Sequence, residues 1–299
     1  MGVSSVSKEP FTINNIHFFC QVSLFILLIF LIYSGHLLVI LRSSALRSEA
    51  SRDTLSLTQD IKFKKMNVAE SDLATDVFDD MKDRFLSFKK LKYMKNLEHY
   101  QNLANAQYPK FMVVACGDSR VCPSNILGFQ PGDAFMIRNV ANLVPPFENG
   151  PTEVNAALEF AVNTLEVPNI LIVGHSCCGG IRALMSMEDE TLIKMQDEGD
   201  PSFIRNWVVV GKNARLSTKA AAGNLTFDQQ CKHCEKESIN RSLVNLLSYP
   251  WIKERVSKGN LSIHAGYYDF TNCTFEKWSL DYEGKEGDKY GIKDRQFWS

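Results

Sequence analysis

Net charge is the first thing this chain lacks. Its 299 residues carry 33 Lys and Arg against 34 Asp and Glu, a formal charge of −1. Nucleic-acid binding needs a basic face, and this balance gives no sign of one. The chain also lacks internal repeats and low-complexity tracts. Its eight cysteines, at 20, 116, 122, 177, 178, 231, 234 and 273, are too sparse for the disulfide framework of a small secreted domain. In a chain of this size they point to a reducing compartment, with some of the thiols serving as metal ligands. What is present is 45% hydrophobic sequence, enough for one globular domain of roughly 200–230 residues plus appendages.

One stretch lacks charge altogether. Phe18–Leu41 contains no Asp, Glu, Lys or Arg and, at about 1.5 Å per helical residue, is long enough to span a bilayer. Arg42, Arg47 and Arg52 follow it and only Lys8 precedes it, so an anchor would leave the C-terminal bulk on the cytosolic or stromal side. An organelle transit segment competes equally: Glu9 is the only acid before Glu49, and Ser and Arg recur over 42–52. Gly2 is a poor myristoylation site because position 6 is Val. Residues 1–48 are therefore a hydrophobic leader, and the polar stretch 49–70 a linker.

From Ser71 a helix is expected, capped by Ser71, with Leu73, Val77, Met81 and Phe85 on one face. A second helix covers about 94–105. Neither carries a glycine-rich turn or a ligand cluster, so their apolar stripes are for packing on the core or on a partner subunit. Strands are expected at Phe111–Ala115, Ala134–Val140 and Ile170–Gly174. Helices are expected after Pro123, ending at Gly128, after Pro151-Thr152-Glu153, and from Gly179-Gly180 to about Met187. Further helices follow at about 201–222, 227–249 (capped by Asp228) and Trp251–Lys258. Leu261–Phe270 and Phe275–Tyr282 alternate like half-exposed strands, residues 188–200 read as an acidic loop, and 283–299 as a polar tail. Alternation of strand and helix predicts an α/β fold: a central, mostly parallel β-sheet flanked by helices, with an N-terminal helical extension and an antiparallel edge strand. Sites in such sheets lie beyond the carboxyl ends of strands.

Two strand ends carry ligand chemistry. Val113-Val114-Ala115-Cys116-Gly117-Asp118-Ser119-Arg120 ends one buried run, and extended backbone would put Cys116, Asp118 and Arg120 on one side. Ile172-Val173-Gly174-His175-Ser176-Cys177-Cys178-Gly179-Gly180 ends another. Cys116, His175 and Cys178 form a Cys₂His set suited to Zn²⁺, and three protein ligands leave a fourth position for water, the mark of a catalytic site. Gly179 and Gly180 let the backbone pass close to the ion. Asp118 is either an Arg partner in a loop, a group that aims a zinc-activated water, or a carboxylate that swings onto the metal and shuts the site. Arg120 would hold it ionised through a bidentate pair. Cys177 is read as inert, with an oxidation-sensitive thiol or a rival ligand as alternatives. Cys231-Lys232-His233-Cys234 has no second Cys/His pair at suitable spacing, so a second metal is not expected there. His264 is read as satisfied by packing, and Asp269 as holding a turn or an interface.

Together these motifs resemble the plant-type β-class carbonic anhydrases, over about residues 70–282. Gln107-Tyr108-Pro109-Lys110-Phe111, Gly128-Phe129-Gln130-Pro131-Gly132, Arg138-Asn139-Val140-Ala141-Asn142 and Tyr267-Tyr268-Asp269-Phe270 add to the likeness. The resemblance implies Cys116, His175 and Cys178 as zinc ligands and Asp118 with Arg120 as the catalytic dyad. It implies Gln107, Phe135, Val140, Phe160 and Gly179 as substrate-binding residues, Gln107 reaching in from an adjacent subunit. Phe160 stands where that family often has Tyr, so the pocket lacks one hydroxyl. The implied reaction is reversible hydration of CO₂ to bicarbonate by zinc-bound hydroxide. The implied partners are CO₂/bicarbonate and further copies of the chain, in a dimer or larger homo-oligomer, with 71–105 as the dimerising arm and 106–282 as the zinc domain. A chloroplast location is expected. The alternatives are a membrane-anchored form facing the cytosol through Phe18–Leu41, the mitochondrion or the cytosol. Rival readings are attack on COS or CS₂, a non-catalytic zinc scaffold, and a redox protein using Cys231 and Cys234.

Overall fold

A computed structural model describes residues 77–189, 202–284 and 289–299. All of these except 77–80 belong to one compact unit, Met81–Ser299. The leader, the linker, Ser71, Leu73 and most of the acidic stretch expected at 188–200 lie outside the described residues. Among the described residues no helix is long and apolar enough to cross a membrane.

Two helices, α1 (Val77–Phe88) and α2 (Leu97–Asn105), precede the sheet, and neither contains a buried residue. The sheet is built from β1 (Phe111–Cys116), β2 (Ala134–Asn139), β3 (Asn169–His175), β4 (Ser262–Asp269), β5 (Thr274–Glu283) and β6 (Lys289–Trp298). Their order is β2-β1-β3-β4-β5-β6. The first four are parallel, and β5 and β6 add antiparallel. The expected architecture is therefore present. β1 and β3 read as unbroken apolar runs because central parallel strands are covered on both faces.

The helices between strands have local causes. Short α3 (Pro123–Leu127) starts with Pro at its first turn and stops at Gly128, whose φ of 74° is left-handed. Thr152 caps α4 (Glu153–Glu159), which runs on into a π turn at Phe160–Thr164. After α5 (Gly179–Met185) come α6 (Phe203–Val208), α7 (Lys212–Ala222), α8 (Phe227–Leu246) and α9 (Pro250–Ser257). The cap of α8 is Thr226 rather than Asp228. Thr226 and Gln229 form a reciprocal capping box, while Asp228 sits in the first turn and pairs with Arg182 at 2.7 Å.

On one face of the sheet Met112, Val114, Ile170, Ile172, Ile263 and Ala265 pack with Leu158, Leu243 and Ile252 of α4, α8 and α9. The other face, Val113, Ala115, Leu171 and Val173, is covered by Phe275 and by Ile126, Leu127 and Phe129. Each such fully buried aliphatic side chain contributes about 1.5–3 kcal/mol.

The tail reading needs correction. Lys289–Trp298 pairs with β5 as a sixth strand. Every residue in it is exposed, so it buries no apolar face, and five of its ten residues are Lys, Asp, Arg or Gln. Ladder hydrogen bonds hold it, together with Trp298 stacked on Phe275 at 5.1 Å and Arg295 paired with Glu276 at 3.1 Å.

The chain leaves β1 to form β2 on one side and returns to form β3 on the other. The crevice at the β1/β3 carboxyl ends is thus a topological switch point, where open α/β sheets place their sites.

Candidate active site and metal centre

Cys116 is the last residue of β1 and His175 the last of β3. Ala115 registers with Val173, so the two ends lie side by side. Beyond His175 the chain reverses through Cys177, at a left-handed φ of 54°, and Cys178 becomes the N-cap of α5. Gly180 is obligatory: a Cβ there would lie 2.6 Å from Val140 Cγ1 and 2.9 Å from Ala141 Cβ. At Gly179 a Cβ would meet open space, so packing does not demand a glycine.

The ligand atoms of Cys116, His175 and Cys178 all lie within 4.8 Å of one another, and all three residues are buried. His175 Nδ1 lies 2.9 Å from the Ser176 carbonyl, to which it donates. That bond fixes the tautomer and leaves Nε2 as a buried lone pair with no hydrogen-bond partner. An orphaned buried polar atom costs about 1–3 kcal/mol, and a metal relieves the cost. Hydrogen bonding from the Cys178 thiol, aided by His175, pulls the Cys116 thiol down to about 4. The same contact, with burial, shifts Cys178 upward. For His175, burial works against the charged form, but the adjacent Cys116 sulfur outweighs it and the net shift is upward. Two sulfurs and one oriented imidazole nitrogen fit Zn²⁺.

Asp118 and Arg120 meet as expected, by a different backbone route. The chain turns at Asp118 instead of staying extended: the Val121 N–H donates to the Asp118 carbonyl, and the Arg120 N–H to Asp118 Oδ1 at 2.9 Å. A short carboxylate that captures a backbone N–H two residues on favours this turn. Arg120 then closes a bidentate pair, Nε to Oδ1 at 2.9 Å and Nη2 to Oδ2 at 2.6 Å. Through that pair Arg120 holds the Asp118 carboxyl down at about 2. Arg138 clamps the same loop, donating to the carbonyls of Cys116 at 2.8 Å and Asp118 at 2.6 Å.

Among the other expected site residues, Phe135 and Phe160 lie together, ring centroids 5.5 Å apart. Val140 is partly exposed and packs beside Gly180. Its carbonyl accepts from Trp207 Nε1 at 2.7 Å. Gln107 lies exposed between α2 and β1. Cys177 is exposed and outside the ligand group. His264 has both ring nitrogens partnered, by Ser279 at 2.9 Å and Asn169 at 3.2 Å. Asp269 holds a turn, accepting from the Thr271 N–H at 3.1 Å.

Sequence reasoning missed Glu235. This buried carboxylate of α8 accepts from the Cys178 N–H at 3.0 Å and from the Tyr267 hydroxyl at 2.8 Å. Burial pushes its pKa up, against those two bonds. A signal existed: Glu235 falls in the helical stripe Cys231, Ser238, Ser242 and Leu246 that faces the core.

Comparison with known proteins agrees with this geometry. The family model for carbonic anhydrase matches residues 111–275. Over 264 residues the chain is 61% identical to beta carbonic anhydrase 5, chloroplastic, of Arabidopsis thaliana, covering 86% of this chain and 84% of that protein. It is 51% identical over 231 residues to beta carbonic anhydrase 6, mitochondrial, of the same plant, covering 77% of each. A chain from the crystal structures of two tetrameric beta-carbonic anhydrases of the ascomycete Sordaria macrospora superposes with a TM-score of 0.59 at 25% identity, covering 67% of this chain and 96% of that one. A buried Cys₂His cluster at a switch point, an ionised carboxylate held beside it, and these likenesses converge: the chain belongs to the plant-type β-carbonic anhydrases, zinc enzymes that interconvert carbon dioxide and bicarbonate.

Proposed function

We propose that Asp118 and Arg120 are the dyad that drives this hydration, with Phe135, Val140, Phe160, Gly179 and Gln107 forming the substrate pocket. Zinc held by Cys116, His175 and Cys178 supplies Lewis acidity that brings the ionisation of water near neutral pH. The Asp118 carboxylate accepts a hydrogen from the attacking water and aims its lone pair at carbon. The bidentate Arg120 contact supports this role, because an acceptor must be ionised and fixed in place. The Phe135 and Phe160 rings and Val140 offer an apolar wall for a nonpolar triatomic substrate. At Gly179 the absence of a side chain leaves room for substrate to approach the backbone. A Gln107 amide from a neighbouring copy would donate to a bicarbonate oxygen. The observation that carries this reading is the bidentate Asp118–Arg120 pair at the end of β1 beside a buried Cys116, His175 and Cys178 cluster whose ligand atoms lie within 4.8 Å of one another. The test is stopped-flow CO₂ hydration by Asp118→Asn with zinc content measured in parallel. Lost turnover with zinc retained supports the dyad, and full activity refutes it.

We infer further that the chain self-associates as a dimer or larger assembly through the 71–105 arm. Met81, Phe85, Leu91 and Met94 are more than half exposed, a costly arrangement for a lone chain. The tetrameric Sordaria relatives support the same reading. Sedimentation of the intact protein and of a Met81→Glu/Phe85→Glu variant tests it: loss of the assembly in the variant is the expected result. We propose a chloroplast destination, which likeness to the chloroplastic Arabidopsis protein supports. N-terminal sequencing of the mature protein and its membrane partition test that destination against an anchor formed by Phe18–Leu41.

A further inference from the structure

Three separate segments converge on one aromatic ring. Arg120 comes from the turn after β1, His175 from the end of β3, and Phe270 from just past β4. The Arg120 guanidinium carbon lies 4.6 Å from the Phe270 ring centroid. The His175 imidazole stacks on the same ring, centroids 6.3 Å apart and planes 29° from parallel. The backbone that carries the ring is itself fixed. The Phe270 N–H donates to Ser176 Oγ at 3.1 Å, and the Ser176 N–H to the Tyr268 carbonyl at 2.9 Å, which stitches the metal loop to the end of β4. Asp269 pins the turn beyond, accepting from the Thr271 N–H and from Asn272 Nδ2, both at 3.1 Å.

We propose that Phe270 is a positioning residue shared by both halves of the site, its ring seating the Arg120 guanidinium and backing the His175 imidazole. A guanidinium nearly half exposed to water has many rotamers that break a two-point contact with a carboxylate. An aromatic face beneath it favours the planar pose from which both Nε and Nη2 reach Asp118. Apart from Asp118, Arg120 contacts the Cys177 carbonyl at 3.3 Å, a longer bond that alone sets no plane. The same ring limits rotation of the imidazole about its bond to the backbone, complementing the Nδ1 bond to Ser176. This inference rests on the dyad reading above.

The test uses the full chain loaded with zinc. Phe270→Leu keeps apolar bulk and removes the π face, whereas Phe270→Tyr keeps the face. Phe270→Leu should lower kcat about five- to tenfold with KM changed less than about twofold. It should also speed zinc release to a chelator several-fold, and Phe270→Tyr should restore both. In an Arg120→Ala background Phe270→Leu should cost no further kcat, while its effect on zinc release persists. Unchanged kcat in Phe270→Leu, or an equal kcat loss with and without Arg120, overturns the proposal and leaves the dyad standing. Full activity in Arg120→Ala overturns the dyad reading itself, and the Arg120 half of this proposal with it.

Discussion

The molecule holds two groups of cysteine and histidine that look alike on paper. Cys116, His175 and Cys178 converge at the β1/β3 ends, with the Cys116 thiol lowered by its hydrogen bond from Cys178 and one imidazole nitrogen left unpaired. Cys231, His233 and Cys234 sit within one turn of α8 and form no ligand group among the described residues. There burial, reinforced by the nearby Glu235 carboxylate, pushes Cys231 up to about 11 and Cys234 up to about 12, which keeps both as thiols, and His233 turns to Thr218 at 3.2 Å. Close spacing in the chain is thus neither necessary nor sufficient for a metal site. Strand ends brought together by topology, with a neighbour that stabilises the thiolate, decide the matter.

The strongest way to break this contrast is to exchange the losses. Cys178→Ser should abolish zinc binding and hydration together, whereas the double variant Cys231→Ser/Cys234→Ser should keep about one zinc per chain and near-normal turnover. Metal analysis alongside stopped-flow decides between them. Asp118→Asn sharpens the contrast from the other side, with a fall in kcat/KM of roughly 10²–10⁴-fold at unchanged zinc content. Glu235→Ala, which strips the Cys178 N–H of its buried acceptor, should weaken zinc about tenfold or more, measured by chelator competition. The smallest effect belongs to a histidine with no part in the metal site. Burial lowers the His264 pKa, so below about 6.5 the unfolded chain takes up a proton that the folded one refuses. The fold therefore loses stability as pH falls from about 6.5 to the lowered folded value. Denaturant titrations of His264→Gln between pH 7 and pH 5 should show a flatter dependence than the parent.

Much of this was legible in the chain. β1 and β3 announced themselves because strands buried on both faces must be apolar throughout, and the ligands stood at their ends. The Asp118–Arg120 pair was legible as chemistry but not as shape, since an apolar run leading into Cys116 reads as extended and hides the turn that the Asp118 carboxylate makes by capturing the Arg120 N–H. Glu235 was obscured because a carboxylate in a helix reads as solvated until Tyr267 and the Cys178 N–H close over it. β6 was lost because an exposed strand draws its order from ladder bonds, and its charged residues outweigh the short Tyr290/Ile292 alternation.

The wiring of the sheet has a thermodynamic consequence. Cys116 and the His175–Cys178 pair lie about 60 residues apart, so an ion shared between them is also a cross-link that closes a long loop of the denatured chain. Because only the native arrangement assembles all three ligands, the free energy of capture adds directly to that of folding. The melting temperature should accordingly climb with free zinc concentration even in variants that have lost every trace of turnover, provided the two sulfurs and the imidazole are intact.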